Sequence, residues 1–359
     1  MRPESLGFLK ALVRAPSPSG YEQPVAQVYR DYTKRFVDDV RTDIHGNTVA
    51  IINPDAGIRV MLSAHMDEIG FVIHHIGEDG LLHFSPIGGH DDVVAVGQRV
   101  WVHGRERIGG VVGSRPFQLL HPGERANRPQ MNRFWIDIGA SSRQEAEGVV
   151  RLGDPVTFEQ EFRPLMGDRA AARAFDNKAG LFVVAEALRS LAESGGLHPE
   201  VGVYGLGTVQ EEIGSRGART ATYEIGPLTG LAIDMDHATD IPNLDPREHG
   251  QIALGSGPII SRGPNINHAL FDLLVRAAEE EGISYQVRVF SQATPTDAGA
   301  MQVTRGGMVT GLLGIPLRYM HTPSETLSLT DLQEGARLAA AYCRRVTPDT
   351  DFTPSLGKG

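Results

Sequence analysis

The chain contains a single cysteine, Cys343, among 359 residues. One thiol excludes an intrachain disulfide and a zinc site built from several thiolates. Any metal held by this chain must therefore be bound by histidines and carboxylates. The sequence also lacks a run of about eighteen apolar residues and an N-terminal apolar segment of secretory length. We expect a cytoplasmic protein that is not inserted in a membrane.

Basic residues are fewer than acidic ones, 34 Lys and Arg against 44 Asp and Glu, which gives a formal charge of −10. Nucleic acids and membrane surfaces attract cationic proteins, so neither is an expected partner. Aromatic residues make up 6% of the chain, with two tryptophans, which disfavours a cleft that stacks against sugars. A hydrophobic content of 41% is enough for a substantial core, and the length of 359 residues predicts two domains. The charge balance favours a small or neutral substrate.

The sequence pattern of the first 164 residues changes near residue 70. Helical periodicity covers Pro3 to Val13 and residues 22–36, and β-rich segments follow at 47–54 and from Ile58 to about His65. We expect these two strands to be neighbours joined by the turn "DAG". Between residues 70 and 164, short Val/Ile/Gly segments alternate with turn residues about every ten positions, which predicts a small all-β module.

The second half of the chain alternates helix and strand patterns. Helices are predicted at 177–194, 267–282 and 329–346, and strands at 200–209, 230–235, 284–290 and 309–320. This alternation indicates an α/β domain with a mostly parallel sheet. We predict an α/β domain of residues 1–68 and 165–359, interrupted by a β domain of residues 69–164. Thr330 and Gln333 fit a capping box for the last helix, and residues 347–359 read as a loose tail.

Titratable residues cluster at the predicted strand ends. In open parallel sheets, ligands bind beyond the carboxyl ends of the strands. The residues at those positions are His65, Asp67, Asp176, Glu211, Glu212, Asp234 and His321. Two imidazoles and several carboxylates suffice for two divalent ions that share one carboxylate, and such ligands suit Zn²⁺, Co²⁺ or Mn²⁺.

Glu211 and Glu212 are adjacent carboxylates directly after a strongly apolar strand pattern. Such a pair is costly unless a cation neutralises it or a proton is shared. Adjacent residues of an extended segment point to opposite sides, so one glutamate can bind a metal while the other acts as a base. A solvated turn is the alternative for this pair. Asp67, two residues after His65, could orient that imidazole by accepting its second N–H.

Several positions keep more than one interpretation. Asp176 could cap the following helix instead of binding a metal. The pattern does not choose among Asp234, Asp236 and His237 as the ligand at the end of the predicted strand 230–235, and Asp297 fits either a structural turn or a pocket wall.

Five segments together resemble a known family. They are "AHMDEIGF", "AFDNKAG", "VQEEIGSRGA", "AIDMDHATDIP" and "RYMHTPSETLS", and they are similar in order and spacing to the tetrahedral (TET) or glutamyl aminopeptidases, co-catalytic dinuclear metallopeptidases that include relatives labelled endoglucanases. The resemblance implies a phosphorylase- or hydrolase-like three-layer α/β catalytic domain and an inserted barrel- or PDZ-like β dimerisation domain. It also implies dimers that assemble into a tetrahedral dodecamer.

The resemblance also implies a role for each strand-end residue. The metal ligands would be His65 and Asp234 for one ion, Glu212 and His321 for the other, and Asp176 as the bridge. Glu211 would be the general base, Asp67 would orient His65, and the two ions per subunit would be Zn²⁺ or Co²⁺. The chain departs from the family pattern at Asn177-Lys178, at Pro295, and in residues 113–131, which lack the usual "PPH".

The predicted reaction is hydrolysis of the N-terminal peptide bond of short peptides. Three alternatives remain at this point: a metal-dependent deacylase of N-acyl amino acids, an endoglucanase, and a scaffold whose metals are structural. The sequence leaves open the preferred N-terminal side chain, the native metal and whether assembly stops at the dimer.

Overall fold

The computed structural model describes residues 1–121 and 130–354. Its helices are α1 (Pro3–Arg14), α2 (Gln23–Thr33), α3 (Arg143–Glu147), α4 (Phe175–Ser194), α5 (Arg216–Ile225), α6 (Pro246–His249), α7 (His268–Glu280), α8 (Asp297–Gln302) and α9 (Leu329–Arg345). The strands of the first half are β1 (Asp39–Thr42), β2 (Thr48–Ile52), β3 (Ile58–His65), β4 (Gly70–Ile76), β5 (Leu82–Ile87), β6 (Arg99–His103), β7 (Arg107–Gly113), β8 (Trp135–Asp137) and β9 (Pro155–Phe158). Those of the second half are β10 (Arg163–Pro164), β11 (Arg169–Ala172), β12 (Val201–Thr208), β13 (Thr229–His237), β14 (Ile259–Arg262), β15 (Gln286–Val289), β16 (Val309–Leu317) and β17 (Glu325–Ser328).

An eight-stranded sheet forms the larger part of the molecule, in the order β1-β2-β12-β3-β13-β16-β14-β15. Its four central strands, β12, β3, β13 and β16, are parallel. Every residue of β12 is buried, as expected for a parallel strand covered on both faces. Helix α4 packs on β3, β12 and β13, and α8 contacts β3, β13 and β16. The prediction of a mixed α/β fold with a mostly parallel sheet is confirmed.

The predicted pairing of the two early strands is wrong. Strand β12 lies between β2 and β3, antiparallel to the first and parallel to the second. The short turn between β2 and β3 favours pairing of these two strands. Strand β12, whose residues are all buried, loses more surface to solvent when it lies between them with a partner on each edge. The connection length therefore did not decide the pairing.

The β-rich first half contains a closed antiparallel barrel in the order β4-β5-β8-β7-β6-β9. It has its own core, separate from that of the α/β part, in which Phe71 meets Phe84 and Phe158 edge-on. Strands β10, β11 and β17 form a small third sheet. Part of the 113–131 segment lies outside the described residues, and the domain boundaries at 69 and 164 stay a prediction.

Two expectations for the C-terminal part are wrong. The cap of α9 is Ser328, whose hydroxyl accepts a hydrogen bond from the Asp331 backbone N–H, so Thr330 lies inside the helix. The segment 347–354 is held to the domain at Phe352, which is 5% exposed and whose carbonyl accepts a hydrogen bond from Asn267. Burial of this aromatic side chain stabilises the segment. Residues 355–359 lie outside the described part of the chain.

A helix that crosses a bilayer needs about 20 predominantly apolar residues. Within residues 1–121 and 130–354, no helix combines sufficient length with sufficient apolar character to do so.

Candidate metal centre

The parallel strands bring all seven predicted site residues to one edge of the sheet. His65 is the last residue of β3, Asp234 lies in β13, and Glu211 and Glu212 come shortly after β12. His321 follows β16, and Asp176 lies in the first turn of α4. The carboxyl ends of neighbouring parallel strands share one edge, which explains why residues up to 256 positions apart in sequence line one cavity.

The Asp176 carboxylate lies between the two imidazoles. His65 Nε2 is 3.2 Å from Asp176 Oδ1 and 3.6 Å from Asp234 Oδ1. His321 Nε2 is 3.4 Å from Asp176 Oδ2 and 3.4 Å from Glu212 Oε1. Two groups of three candidate ligands result, His65 with Asp176 and Asp234, and Asp176 with Glu212 and His321. Within each group the ligand atoms lie within 4.8 Å of one another, and Asp176 belongs to both.

Local backbone geometry turns the Asp176 side chain into the centre. Asp176 has non-helical backbone angles, and its peptide bond to Asn177 is cis. The capping alternative for Asp176 is wrong, because Asn177 Oδ1 accepts the hydrogen bond from the Gly180 backbone N–H at 3.1 Å. Asn177 satisfies the free helix end, and Asp176 keeps both carboxylate oxygens for the site.

Asp67 joins the ends of β3 and β12. Its Oδ1 accepts a hydrogen bond from the Glu211 backbone N–H at 2.9 Å, and its Oδ2 accepts one from Glu212 at 3.1 Å. Ser19 Oγ also donates to Oδ2 at 2.6 Å. The His65 imidazole is positioned mainly by the backbone carbonyl of Asp67, 3.1 Å from Nδ1, with Oδ1 at 3.4 Å. Asp67 therefore fixes the backbone of the glutamate pair as well as facing His65.

Buried carboxylates outnumber cationic side chains in this cluster. Burial raises the pKa of Glu211 to about 9, and the nearby Asp234 and Asp297 carboxylates add to this. Burial likewise raises the pKa of Asp234 to about 7. Burial lowers the pKa of His321, but Asp176 and Glu212 outweigh it and bring the pKa to about 11. The cluster favours added positive charge, supplied either by protons or by bound cations.

Two oxygens of the cluster lack a hydrogen bond. Asp176 Oδ1 and Glu212 Oε1 are buried and have no hydrogen-bond partner among the described residues. Leaving a charged oxygen in this state costs more than the roughly 1–3 kcal/mol of a neutral group. Each of these atoms belongs to one of the two ligand groups. A divalent cation in each group would satisfy both, and His and carboxylate ligands suit Zn²⁺, Co²⁺ or Mn²⁺.

Glu211 lies beside the ligand groups but belongs to neither. Its Oε1 accepts a hydrogen bond from Ser215 Oγ at 3.0 Å, and its Oε2 is 3.9 Å from His65 Nε2. The side chain is 11% exposed and borders a cavity of about 410 Å³ that also contains the candidate ligands. Its position leaves it available for proton transfer.

Sequence reasoning left two nearby acidic residues without a role. Glu325 accepts hydrogen bonds from the backbone N–H groups of Asp176 at 3.0 Å and His321 at 2.9 Å, which fixes both candidate ligands. The signal was its place four residues after His321. Asp297 is the first residue of α8 and is buried, and its Oδ2 accepts hydrogen bonds from Ser63 and Thr208.

Distances distinguish the three candidates at the end of β13. Asp234 faces His65, whereas Asp236 pairs with Arg288, whose Nη1 lies 2.9 Å from Asp236 Oδ1. His237 lines the same cavity but belongs to neither ligand group.

A loop of the barrel also reaches the centre. A Cβ atom on Gly88 would lie 3.3 Å from the Glu212 Cβ, and one on Gly89 would lie 3.7 Å from His321 Nδ1. His90 holds this loop, because its Nε2 lies 2.8 Å from the Gly70 carbonyl oxygen and its ring stacks on Phe71. At Gly88, φ is +78° and a Cβ would also lie 2.7 Å from Ile69 Cγ2, so this position favours glycine.

Known proteins are similar to this chain over nearly its whole length. A lysyl aminopeptidase of Pyrococcus furiosus is 36% identical over 354 residues, which cover 97% of this chain and 99% of the relative. The solved structure of a TET aminopeptidase from a marine sediment archaeon, Thaumarchaeota archaeon SCGC AB-539-E09, has a TM-score of 0.91 at 33% identity and covers 96% of each chain.

A second solved structure describes an assembly. The TET1 peptidase of Pyrococcus horikoshii, reported to assemble into a tetrahedron or a large octahedral shell, has a TM-score of 0.83 at 29% identity, covering 95% of this chain and all of its own. Residues 46–338 match the sequence profile of M42 glutamyl aminopeptidases. The chain therefore belongs to the M42 glutamyl aminopeptidase family.

Proposed function

We propose that this protein is a dinuclear metal-dependent aminopeptidase that hydrolyses the N-terminal peptide bond of short peptides, with Glu211 as the general base. One observation carries the proposal: Asp176 is shared by two three-residue ligand groups, while Glu211 lies in the same cavity outside both. A structural metal site has no need of a spare buried carboxylate.

The donors present fit two divalent ions, which we expect to be Zn²⁺ or Co²⁺. The ligands would be His65 and Asp234 for one ion, Glu212 and His321 for the other, and Asp176 for both. The buried oxygens without hydrogen bonds, Asp176 Oδ1 and Glu212 Oε1, support this assignment. When bound, such ions polarise a scissile carbonyl and lower the pKa of an attacking water.

Glu211 would carry the proton through the reaction. Its carboxylate accepts a proton from water as the water oxygen bonds to the carbonyl carbon, and it delivers that proton to the departing amine as the C–N bond breaks. The Ser215 hydroxyl, 3.0 Å from Oε1, orients the carboxylate. A proton acceptor placed in this way typically contributes about two to four orders of magnitude in rate.

The test is Glu211→Gln, assayed with aminoacyl p-nitroanilides after chelation and after restoring Zn²⁺ or Co²⁺. We expect kcat to fall by about 10²- to 10⁴-fold while the variant retains two ions per subunit by elemental analysis. Ser215→Ala, which removes only the orienting hydroxyl, should lose far less. Full activity in Glu211→Gln, or loss of the ions from it, would contradict the assignment.

Two other activities are separated by the substrate. A deacylase of N-acyl amino acids would cleave N-acetylated substrates, whereas we expect hydrolysis only of free amino termini. An endoglucanase would cleave cellulose after chelation. Among the described residues, Phe290 is the one aromatic ring besides histidines that lines the cavity, which gives little surface for stacking a sugar.

We also propose assembly through residues 69–164 as a dimerisation domain, with dimers forming a tetrahedral dodecamer. The shells described for the related TET1 peptidase support this proposal. A mass in solution near twelve times 38.8 kDa, measured by light scattering, is expected. A mass of two subunits would show that assembly stops at the dimer.

A further inference from the structure

The cavity of the metal centre extends to a second pair of charges. Besides the candidate ligands, its wall contains Asp236 in β13 and Arg288 in the edge strand β15. Arg288 Nη1 lies 2.9 Å from Asp236 Oδ1 and donates a hydrogen bond to the His237 carbonyl at 2.8 Å. The same cavity is also lined by the apolar side chains of Leu312, Met320 and Phe290.

Only half of the Asp236 carboxylate is paired. Oδ2 is buried and has no hydrogen-bond partner among the described residues, while the whole side chain is 12% exposed. Two features of the cavity therefore coincide: an acceptor shielded from bulk water, and apolar side chains in the same lining. A donor that enters through the cavity would remove the cost of the unmatched oxygen.

Elsewhere in the chain, a buried carboxylate has a cationic partner on each of its two oxygens. Glu68 is buried with Lys178 Nζ at 2.7 Å from Oε1, and Arg173 bonds to Oε2. One carboxylate therefore accommodates an arginine and a lysine, one on each oxygen. Asp236 has the arginine on Oδ1, which leaves Oδ2 to a second cation.

We propose that Asp236 selects peptides whose N-terminal residue has a basic side chain, lysine or arginine. The inference rests on the proposed aminopeptidase function and deepens it by naming the substrate class. The methylene groups of such a side chain pack against the apolar side chains of the cavity, as long basic side chains do on apolar surfaces. Its cationic end donates to Asp236 Oδ2, and a charge-assisted hydrogen bond of this kind is stronger than a neutral one.

The test compares lysyl and norleucyl p-nitroanilides with the metal-loaded protein. The two substrates differ only in the terminal ammonium group, so their ratio of kcat/KM isolates the contact with Asp236. We expect a ratio of about 10 to 100 in favour of lysine, the range of a charged hydrogen bond. Calorimetric binding of free L-lysine and L-norleucine gives a second readout that does not depend on turnover.

Two variants should move this ratio in opposite directions. Asp236→Asn removes the charge and should bring the lysyl-to-norleucyl ratio close to 1. Arg288→Met removes the competing cation and should raise the ratio. Asp240→Asn is the matched control, because Asp240 also pairs with an arginine, Arg318, at similar exposure but outside the cavity. It should leave the ratio unchanged.

The outcomes separate the two proposals. If norleucyl p-nitroanilide is hydrolysed only with metal but lysine gives no advantage, the aminopeptidase function stands and the role of Asp236 is wrong. A glutamyl substrate preferred over a glutaminyl one would assign selection to Arg288 instead. A lysyl preference that persists in Asp236→Asn also overturns the inference. If neither substrate is hydrolysed under any metal condition, the proposed function fails and the inference with it.

Discussion

Two buried charge clusters lie next to each other in this protein and differ in how their carboxylates are neutralised. In the first, Glu68 is held by Arg173 and Lys178, all at most 6% exposed. In the second, the metal centre, several carboxylates face two imidazoles. Burial alone would raise the pKa of Glu68, but the two cations lower it to about 2. At the centre, burial raises the pKa of Glu211 to about 9.

The same two segments build both clusters. Asp67 and Glu68 are adjacent after β3, and Asp67 faces the glutamate pair while Glu68 faces the cations. In α4, Asp176 enters the centre, and Lys178 enters the ion cluster. Cations from the chain itself complete the first cluster, so it needs no ligand. Within residues 1–121 and 130–354, the basic groups paired with the carboxylates of the second cluster are imidazoles rather than lysine or arginine. This difference is the physical argument for added metal ions.

The largest loss of activity is expected from a change at Asp176, the candidate ligand common to both groups. In Asp176→Asn we expect loss of both ions and a fall in activity of at least about 10³-fold, since metal and positioned water are lost together. Elemental analysis after dialysis measures the ions. Asp331→Asn is the control, because it removes a buried carboxylate outside the centre that accepts hydrogen bonds from the Gly255 and Gly257 backbone N–H groups. If Asp176→Asn retains both ions, the bridging assignment is wrong.

The ion cluster can be broken without removing a candidate metal ligand. Glu68→Gln leaves two buried cations without their carboxylate, which we expect to lower the free energy of unfolding by about 3–5 kcal/mol. Urea denaturation of the metal-free protein measures the change. Glu193→Gln, at an exposed ion pair with Arg2, should leave the denaturation midpoint nearly unchanged. An equally small effect of Glu68→Gln would show that the cluster adds little stability.

The two clusters also differ in how far the sequence predicts them. The centre was predictable because its residues follow strands, and strand ends meet at one edge of a parallel sheet. The ion cluster was not, because Glu68 and Arg173 are 105 positions apart and nothing in their local patterns indicates pairing. The barrel loop at Gly88 and Gly89 was missed for the same reason. Local periodicity predicts which face of an element is buried, but not the element packed against it.

Acid should weaken the ion cluster in a defined pH range. Glu68 has a folded pKa of about 2 against an ordinary value of 4.5. A lowered folded pKa means that the stabilisation is fully present above pH 4.5 and is lost as the pH falls from 4.5 towards 2. Lys178 does not titrate in this range: burial outweighs its pairing with Glu68 and lowers its pKa, but only to about 8. The stabilisation of this cluster that is lost in acid is therefore due to protonation of Glu68.

The measurement is the difference in unfolding free energy between the wild type and Glu68→Gln, in metal-free protein, at about pH 5 and about pH 2.5. Because other carboxylates titrate in both proteins, the difference isolates Glu68. A pKa shift of this size corresponds to about 3 kcal/mol, so the gap should shrink by most of that amount in acid. A gap that is the same at both pH values would mean that Glu68 is not held ionised by Arg173 and Lys178. The contrast between the two clusters would then rest on burial rather than on charge.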